Sequence, residues 1–150
     1  MSTTSTLEAE PDTSMDHNDR TPSVRVIEFV GIVALAITGF IHLKDMSEKF
    51  AEVPYLGVGY GLIVIASIVS IVLLARGDRR GWMLGGAMSL ATLIGYTLSR
   101  TTGLPTSTDD IGNWSETLAI WAGVAEVVMI VLSGVMLFGR RSPALSATTS

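Results

Sequence analysis

Four side chains carry most of the chemistry that this sequence can offer: Glu126, His42, Tyr96 and Arg100. Glu126 lies midway along an apolar stretch that runs from Trp114 to Phe138. An ionised carboxylate at the centre of a bilayer costs on the order of 3 kcal/mol, so this acid is expected to be neutral unless a cation or base pairs with it. Two roles follow. Glu126 is either a proton-relay or ligand-binding carboxyl facing the interior of a bundle, or a protonated acid that hydrogen-bonds to Ser, Thr or Tyr and serves packing.

His42 closes another apolar stretch and shares a helix face with Thr38, one turn back, and Glu28, close to four turns back. An imidazole there can accept a proton near neutral pH or ligate a metal or a haem iron. The other histidine, His17, falls in a polar leading segment, which argues against a bis-histidine haem within one copy and leaves zinc without companions. A structural hydrogen bond at the membrane interface is the plainer expectation for His42. Haem or quinone remains an alternative, with Met46 as the candidate second haem ligand within the chain.

Tyr96 and Arg100 stand one helical turn apart, toward the same edge as His42, so the three are placed to line a polar vestibule leading inward to Glu126. Arg100 snorkelling to headgroups and Tyr96 anchoring the interface is the competing expectation.

The elements that position these groups follow from composition. Of the 150 residues, 48% are hydrophobic and only 16% charged, against about 25% in soluble domains. A helix needs roughly 20 mostly apolar residues to cross a bilayer core. Four stretches qualify, approximately Val24 to Leu43, Tyr55 to Ala75, Gly81 to Ser99 and Trp114 to Phe138. The backbone must satisfy its own hydrogen bonds in lipid, so the expected fold is all-α: a four-transmembrane-helix bundle over residues 23–139. Residues 1–22, rich in Ser, Thr and acidic side chains, read as a disordered tail, and 140–150 as a second short tail.

Arg20, Arg25, Arg76, Arg79, Arg80, Arg140 and Arg141 fall on one side of these spans; Lys44, Lys49 and Arg100 fall on the other. The positive-inside rule then puts both termini in the cytoplasm of a multi-pass protein of the cell (plasma) membrane. Trp82, Tyr55 and Trp114 are expected in interfacial aromatic belts. Asn113 followed by Glu116 reads as an N-cap with its reciprocal partner at the start of the fourth helix. Asp45, Glu48 and Glu52, with Asp109 and Asp110, make an acidic outer rim whose spacing matches no dedicated calcium loop.

Small and polar residues recur along one seam of each span: Thr38 and His42; Tyr60, Ser67 and Ser70; Gly85, Ser89 and Tyr96; Ala122, Glu126 and Ser133. Helices associate in lipid through such seams. The absence of cysteine excludes disulfides, thiolate metal sites and cysteine nucleophiles. A net charge of -4 concentrated near the N-terminus argues against nucleic acid as a partner. Short linkers leave no extramembrane domain for separate chemistry.

Gly39-Phe40-Ile41-His42, the run Tyr96 to Pro105 and Gly112-Asn113-Trp114, together with Glu126, resemble a group of small four-span bacterial membrane proteins of unassigned function. The resemblance covers Val24 to Phe138, implies the bundle in a bacterial inner membrane and brings no activity with it. The expected partners are the lipid bilayer and either other membrane-protein subunits or further copies of this chain, in a non-enzymatic role. A small proton-coupled transporter using Glu126 is the alternative.

Overall fold

In a computed structural model, residues 22–139 are described; the two expected tails, with His17, lie outside the described residues. Among the described residues the chain is all-helical, with α1 (Pro22–Glu52), α2 (Pro54–Ala75), α3 (Arg79–Thr101) and α4 (Thr117–Phe138) and no strand. Helices α1, α2 and α4 are each long and apolar enough to cross a membrane. Helix α3 matches them in length at 23 residues, but its Gly, Ser and Thr residues dilute its apolar character.

Each helix packs on its two neighbours in a closed four-sided arrangement: α1 on α2 and α4, α3 on α2 and α4. The glycines register the pairs. Gly31 lies against Leu74 and Gly57 against Phe50, so α1 and α2 run antiparallel. Gly85 lies against Met129 and Gly86 against Ser133, and with Arg79 at the start of α3 bonded to Leu137 at the end of α4, α3 and α4 also run antiparallel. A Cβ on Gly57 would meet the Phe50 Cα at 2.7 Å, which a flexible side chain cannot relieve, so α1 and α2 approach closely near their junction only because residue 57 has no side chain.

Helix α1 continues nine residues past the expected span end at Leu43 and stops at Glu52. Charged residues end a membrane span but do not end a helix. Termination comes from Pro54: the residue before a proline disfavours helical geometry, and Val53 is extended, at φ -142° and ψ 90°. At 1.5 Å per residue the 31 residues of α1 measure about 46 Å, longer than a hydrocarbon core of about 30 Å.

The α2–α3 turn is tighter. Gly77 takes φ +71°, a left-handed conformation that favours glycine; the Asp78 N–H donates to the Leu73 carbonyl and the Gly77 N–H to that of Leu74. Asp78 then caps α3 by accepting from the Arg80 N–H at 2.9 Å. Beside it, Arg79 Nη2 donates to the last-turn carbonyl of Leu137 at 2.8 Å and ties the ends of α3 and α4.

The core is built from Leu35, Leu74, Trp82 and Met129. Trp82, expected at an interface, is 3% exposed instead, because Gly31 opens a slot for its ring. Thr38, Ser67, Ser70, Ser89, Glu126 and Ser133 are buried with it, while Phe29, Leu62, Ile65, Ile68, Leu90 and Val131 point outward.

Candidate functional site

Above the core the helices part around a cavity of about 1140 Å³. His42 from α1, Tyr60 from α2, Tyr96 and Arg100 from α3, and Glu126 from α4 all line it. The four residues singled out in the sequence therefore share one space. Its rim carries Lys44, Asp45, Glu48 and Lys49 of the extended α1 together with Asp109, Asp110 and Glu116 of the α3–α4 connection.

Glu126 is 1% exposed, and its Oε1 makes no hydrogen bond. The Oγ atoms of Ser70, Ser89 and Ser133 are likewise buried without partners, so these seam residues do not satisfy the carboxyl as the packing expectation requires. A buried polar atom left unpaired is costly, and most such atoms find a partner in protein or water. On the other side of Glu126, Leu35, Leu74 and Met129 are all but fully buried and close the bundle toward the Arg76–Arg80 end.

His42 is 7% exposed, and its Nδ1 donates to the Thr38 carbonyl at 2.8 Å, a bond one turn back along α1. A carbonyl only accepts, which fixes the proton on Nδ1 and leaves Nε2 of the neutral ring as a lone pair. That ring meets Tyr60 edge-on, with centroids 4.8 Å apart. A lone pair suits a metal or a proton donor; it gives nothing to a quinone carbonyl, which needs a hydrogen-bond donor. Met46, the expected second haem ligand, lies toward Gly61 and is not part of the cavity lining. Among the described residues no group of three or more His, Cys, Asp or Glu side chains is placed to hold a metal ion.

Arg100 lies among the cavity-lining residues. It does not extend outward as a snorkelling side chain: it is 5% exposed and forks between two carboxylates, Nη1 to Asp110 Oδ1 at 2.6 Å and Nη2 to Glu116 Oε2 at 2.5 Å. Its carbon Cζ lies 5.2 Å from the Tyr96 ring centre. Burial opposes the guanidinium charge, and Asp110 and Glu116 more than offset it. The Arg100 carbonyl also accepts from the Gly112 N–H at 2.9 Å, and Tyr96 packs edge-to-face on Trp114.

The residues 102–116 are thereby drawn over the end of α3. Tyr55 adds a tie from α2, donating its hydroxyl to the Pro105 carbonyl at 2.6 Å. Glu116 was expected as the reciprocal partner of an Asn113 cap; α4 instead starts at Thr117, with Glu116 itself in the N-cap position and its side chain given to Arg100. The spacing of Asn113 and Glu116 satisfies a capping rule, but a charged partner outcompetes a backbone N–H for the carboxylate.

Tyr60, Asp110 and Glu116 are thus site residues that sequence reasoning did not single out as such. Tyr60 was legible as part of the α2 seam; the Arg100 partners lie 10 and 16 residues away across an irregular connection with no periodic signal. No protein-family model matches the chain, and neither a curated protein nor a solved structure matches it.

Proposed function

We propose that this chain is a four-span membrane protein, both ends in the cytoplasm, that holds a small ligand in a cavity opening on the outer side. It acts as a non-enzymatic membrane component, assembled with further copies of itself or with other membrane-protein subunits. The observation that carries the ligand site is a buried carboxyl, its Oε1 without a hydrogen-bond partner, on a residue that lines a cavity reaching the rim. Binding sites are typically concave with convergent polar groups, and here Tyr60, Arg100 and Glu126 converge on the cavity from three helices.

Orientation rests on charge. Arg76, Arg79 and Arg80 cluster at the α2–α3 turn, opposite the cavity mouth, and arginines flanking spans are retained in the cytoplasm. A fourth span rests on α3 packing antiparallel between α2 and α4 while Met83, Leu90, Ile94 and Leu98 face outward as the apolar residues of the other helices do. Of its polar residues Ser89 and Arg100 are buried, while Thr97 is exposed with its hydroxyl bonded back to the Leu93 carbonyl.

A small proton-coupled transporter with Glu126 as carrier is a second reading, favoured by the same unpartnered oxygen. It further requires the layer of Leu35, Leu74 and Met129 to open, since the carboxyl is reached from one side only.

The test is chemical. Dicyclohexylcarbodiimide, an apolar reagent, adds to protonated carboxyls in water-poor sites and rearranges to a stable acylurea. Applied to membranes holding the protein, it is expected to give one adduct, mapped by peptide mass to Glu126 and missing in Glu126→Gln. Adducts on Asp45 or Glu48 with Glu126 untouched would overturn the cavity as a route to the deep carboxyl.

A further inference from the structure

We propose that the ligand is an amphiphilic organic cation, its apolar body held between the helices and its positive centre set against Glu126. This rests on the cavity being a ligand site and adds the chemistry of what enters it.

Charge at the rim is the first ground. Asp45, Glu48 and Asp109 line the cavity without an ion-pair partner among the described residues, against Lys44 as the corresponding cation. The other two cations are committed, Lys49 to Glu52 at 2.7 Å and Arg100 to Asp110 and Glu116. A mouth whose uncommitted charges are mainly acidic concentrates cations from solution. An anion would meet carboxylates both at the mouth and at depth.

The second ground is depth: Glu126 lies below this rim, and among the described residues no side chain hydrogen-bonds its Oε1. The third is the shape of the wall. Gly59, Gly95 and Gly123 all line the cavity, and a Cβ added at each would meet no atom within 4 Å. The same spacing class of glycine elsewhere, at Gly57, Gly81 and Gly85, is filled by a neighbouring helix. Three open glycines from α2, α3 and α4 keep the space clear at the level where Tyr60 and Tyr96 stand beside two of them. Aromatic rings tolerate an apolar body and attract a cation to their faces.

Occupancy then exchanges one charge for another. Neutral Glu126 loses its proton, the O–H bond breaking with the electron pair left on the carboxylate; the proton leaves through the cavity to water, and the ligand cation pairs with the carboxylate. No other bond changes. The titratable and charged groups facing the same space are His42 from α1, Tyr60 from α2, Tyr96 and Arg100 from α3, and Asp110 and Glu116 from the connection, with Lys44, Asp45, Glu48, Lys49, Glu52 and Asp109 at the rim. Protons compete with the cation for one carboxylate, so binding weakens as pH falls.

Tetraphenylphosphonium and tetraphenylborate have matched shape and opposite charge, and equilibrium dialysis against the detergent-purified full chain separates them. The phosphonium is expected to bind saturably, more weakly as pH is lowered, and the borate not to bind. Glu126→Gln is expected to weaken the phosphonium by about 30-fold or more, the scale of truncating one partner of a buried charge pair, and to abolish the pH dependence. Gly123→Leu, placed in open space at ordinary φ, fills the cavity and is expected to remove binding with the elution profile unchanged.

In the wild-type chain, which needs no variant to fold, the phosphonium is expected to protect Glu126 from dicyclohexylcarbodiimide. Equal binding of both ions, or full affinity in Glu126→Gln, overturns the assignment. Carbodiimide labelling of Glu126 without phosphonium binding or protection sinks the cation and leaves the cavity as a site; no labelling at all sinks the cavity reading itself.

Discussion

Arg100→Ala is expected to lower stability by about 2 kcal/mol and to loosen residues 102–116. Hydrogen bonds to charged groups contribute about 1.5–3 kcal/mol each, and Arg100 makes two such pairs while itself 5% exposed. The sum is discounted because Asp110 is 32% and Glu116 45% exposed, so water recovers much of what each carboxylate loses. What water does not replace is the geometry: one planar fork joins the end of α3 to two points of the connection and lies beside Tyr96.

Arg100→Lys is therefore expected to recover less than half of the loss, since an ammonium has no planar fork to offer both carboxylates. Thermal unfolding in detergent reads the stability, and hydrogen exchange of 102–116 reads the connection. Unchanged exchange in Arg100→Ala would show that the Tyr55–Pro105 tie and the turn around Gly112 hold these residues without the ion pairs. The same substitution frees Asp110 and Glu116 at the cavity mouth, so it is also expected to strengthen phosphonium binding.

The inward faces of the helices were legible because lipid makes polarity informative. Along α1 the polar Thr38 and His42 interrupt an apolar run at helical spacing, and both are buried; Ser67 and Ser70, Ser89, Glu126 and Ser133 follow the same logic. Three features were not legible, each for a physical reason. The length of α1 beyond its apolar stretch was hidden because hydropathy marks where a span stops, whereas Pro54 stops the helix. Trp82 went to the core because a slot at Gly31 exists only once α1 and α3 are packed. Most of all, the cavity depends on distinguishing Gly59, Gly95 and Gly123 from Gly57, Gly81 and Gly85. Nothing in the sequence sorts the two sets, and only the neighbour each one faces separates a filled contact from an open wall.

The status of α3 has the largest expected effect of any single substitution. Leu90 is 50% exposed on α3, on the face turned away from the bundle. If that face meets lipid, Leu90→Arg replaces a favourable group by a charge at the middle of a span, and the change from Leu to Arg costs about 3 kcal/mol, roughly 150-fold in an insertion equilibrium. If α3 instead lies against water, an exposed arginine costs almost nothing. Ile65→Arg, at 59% exposure on the plainly apolar α2 and away from the cavity lining, supplies the benchmark for a lipid-facing position. The two variants are expected to reduce membrane-inserted protein alike. Because the chain has no cysteine, a single Thr108→Cys reports on topology without further change. With four spans it reacts with a membrane-impermeant maleimide from outside the cell, and in Leu90→Arg that reaction is expected to be lost. Normal labelling and normal yield in Leu90→Arg, with Ile65→Arg impaired, would remove α3 from the bilayer. The acidic mouth would then no longer be held at the outer side by a helix that crosses, and the cavity would have to be entered from water along the flank of α3.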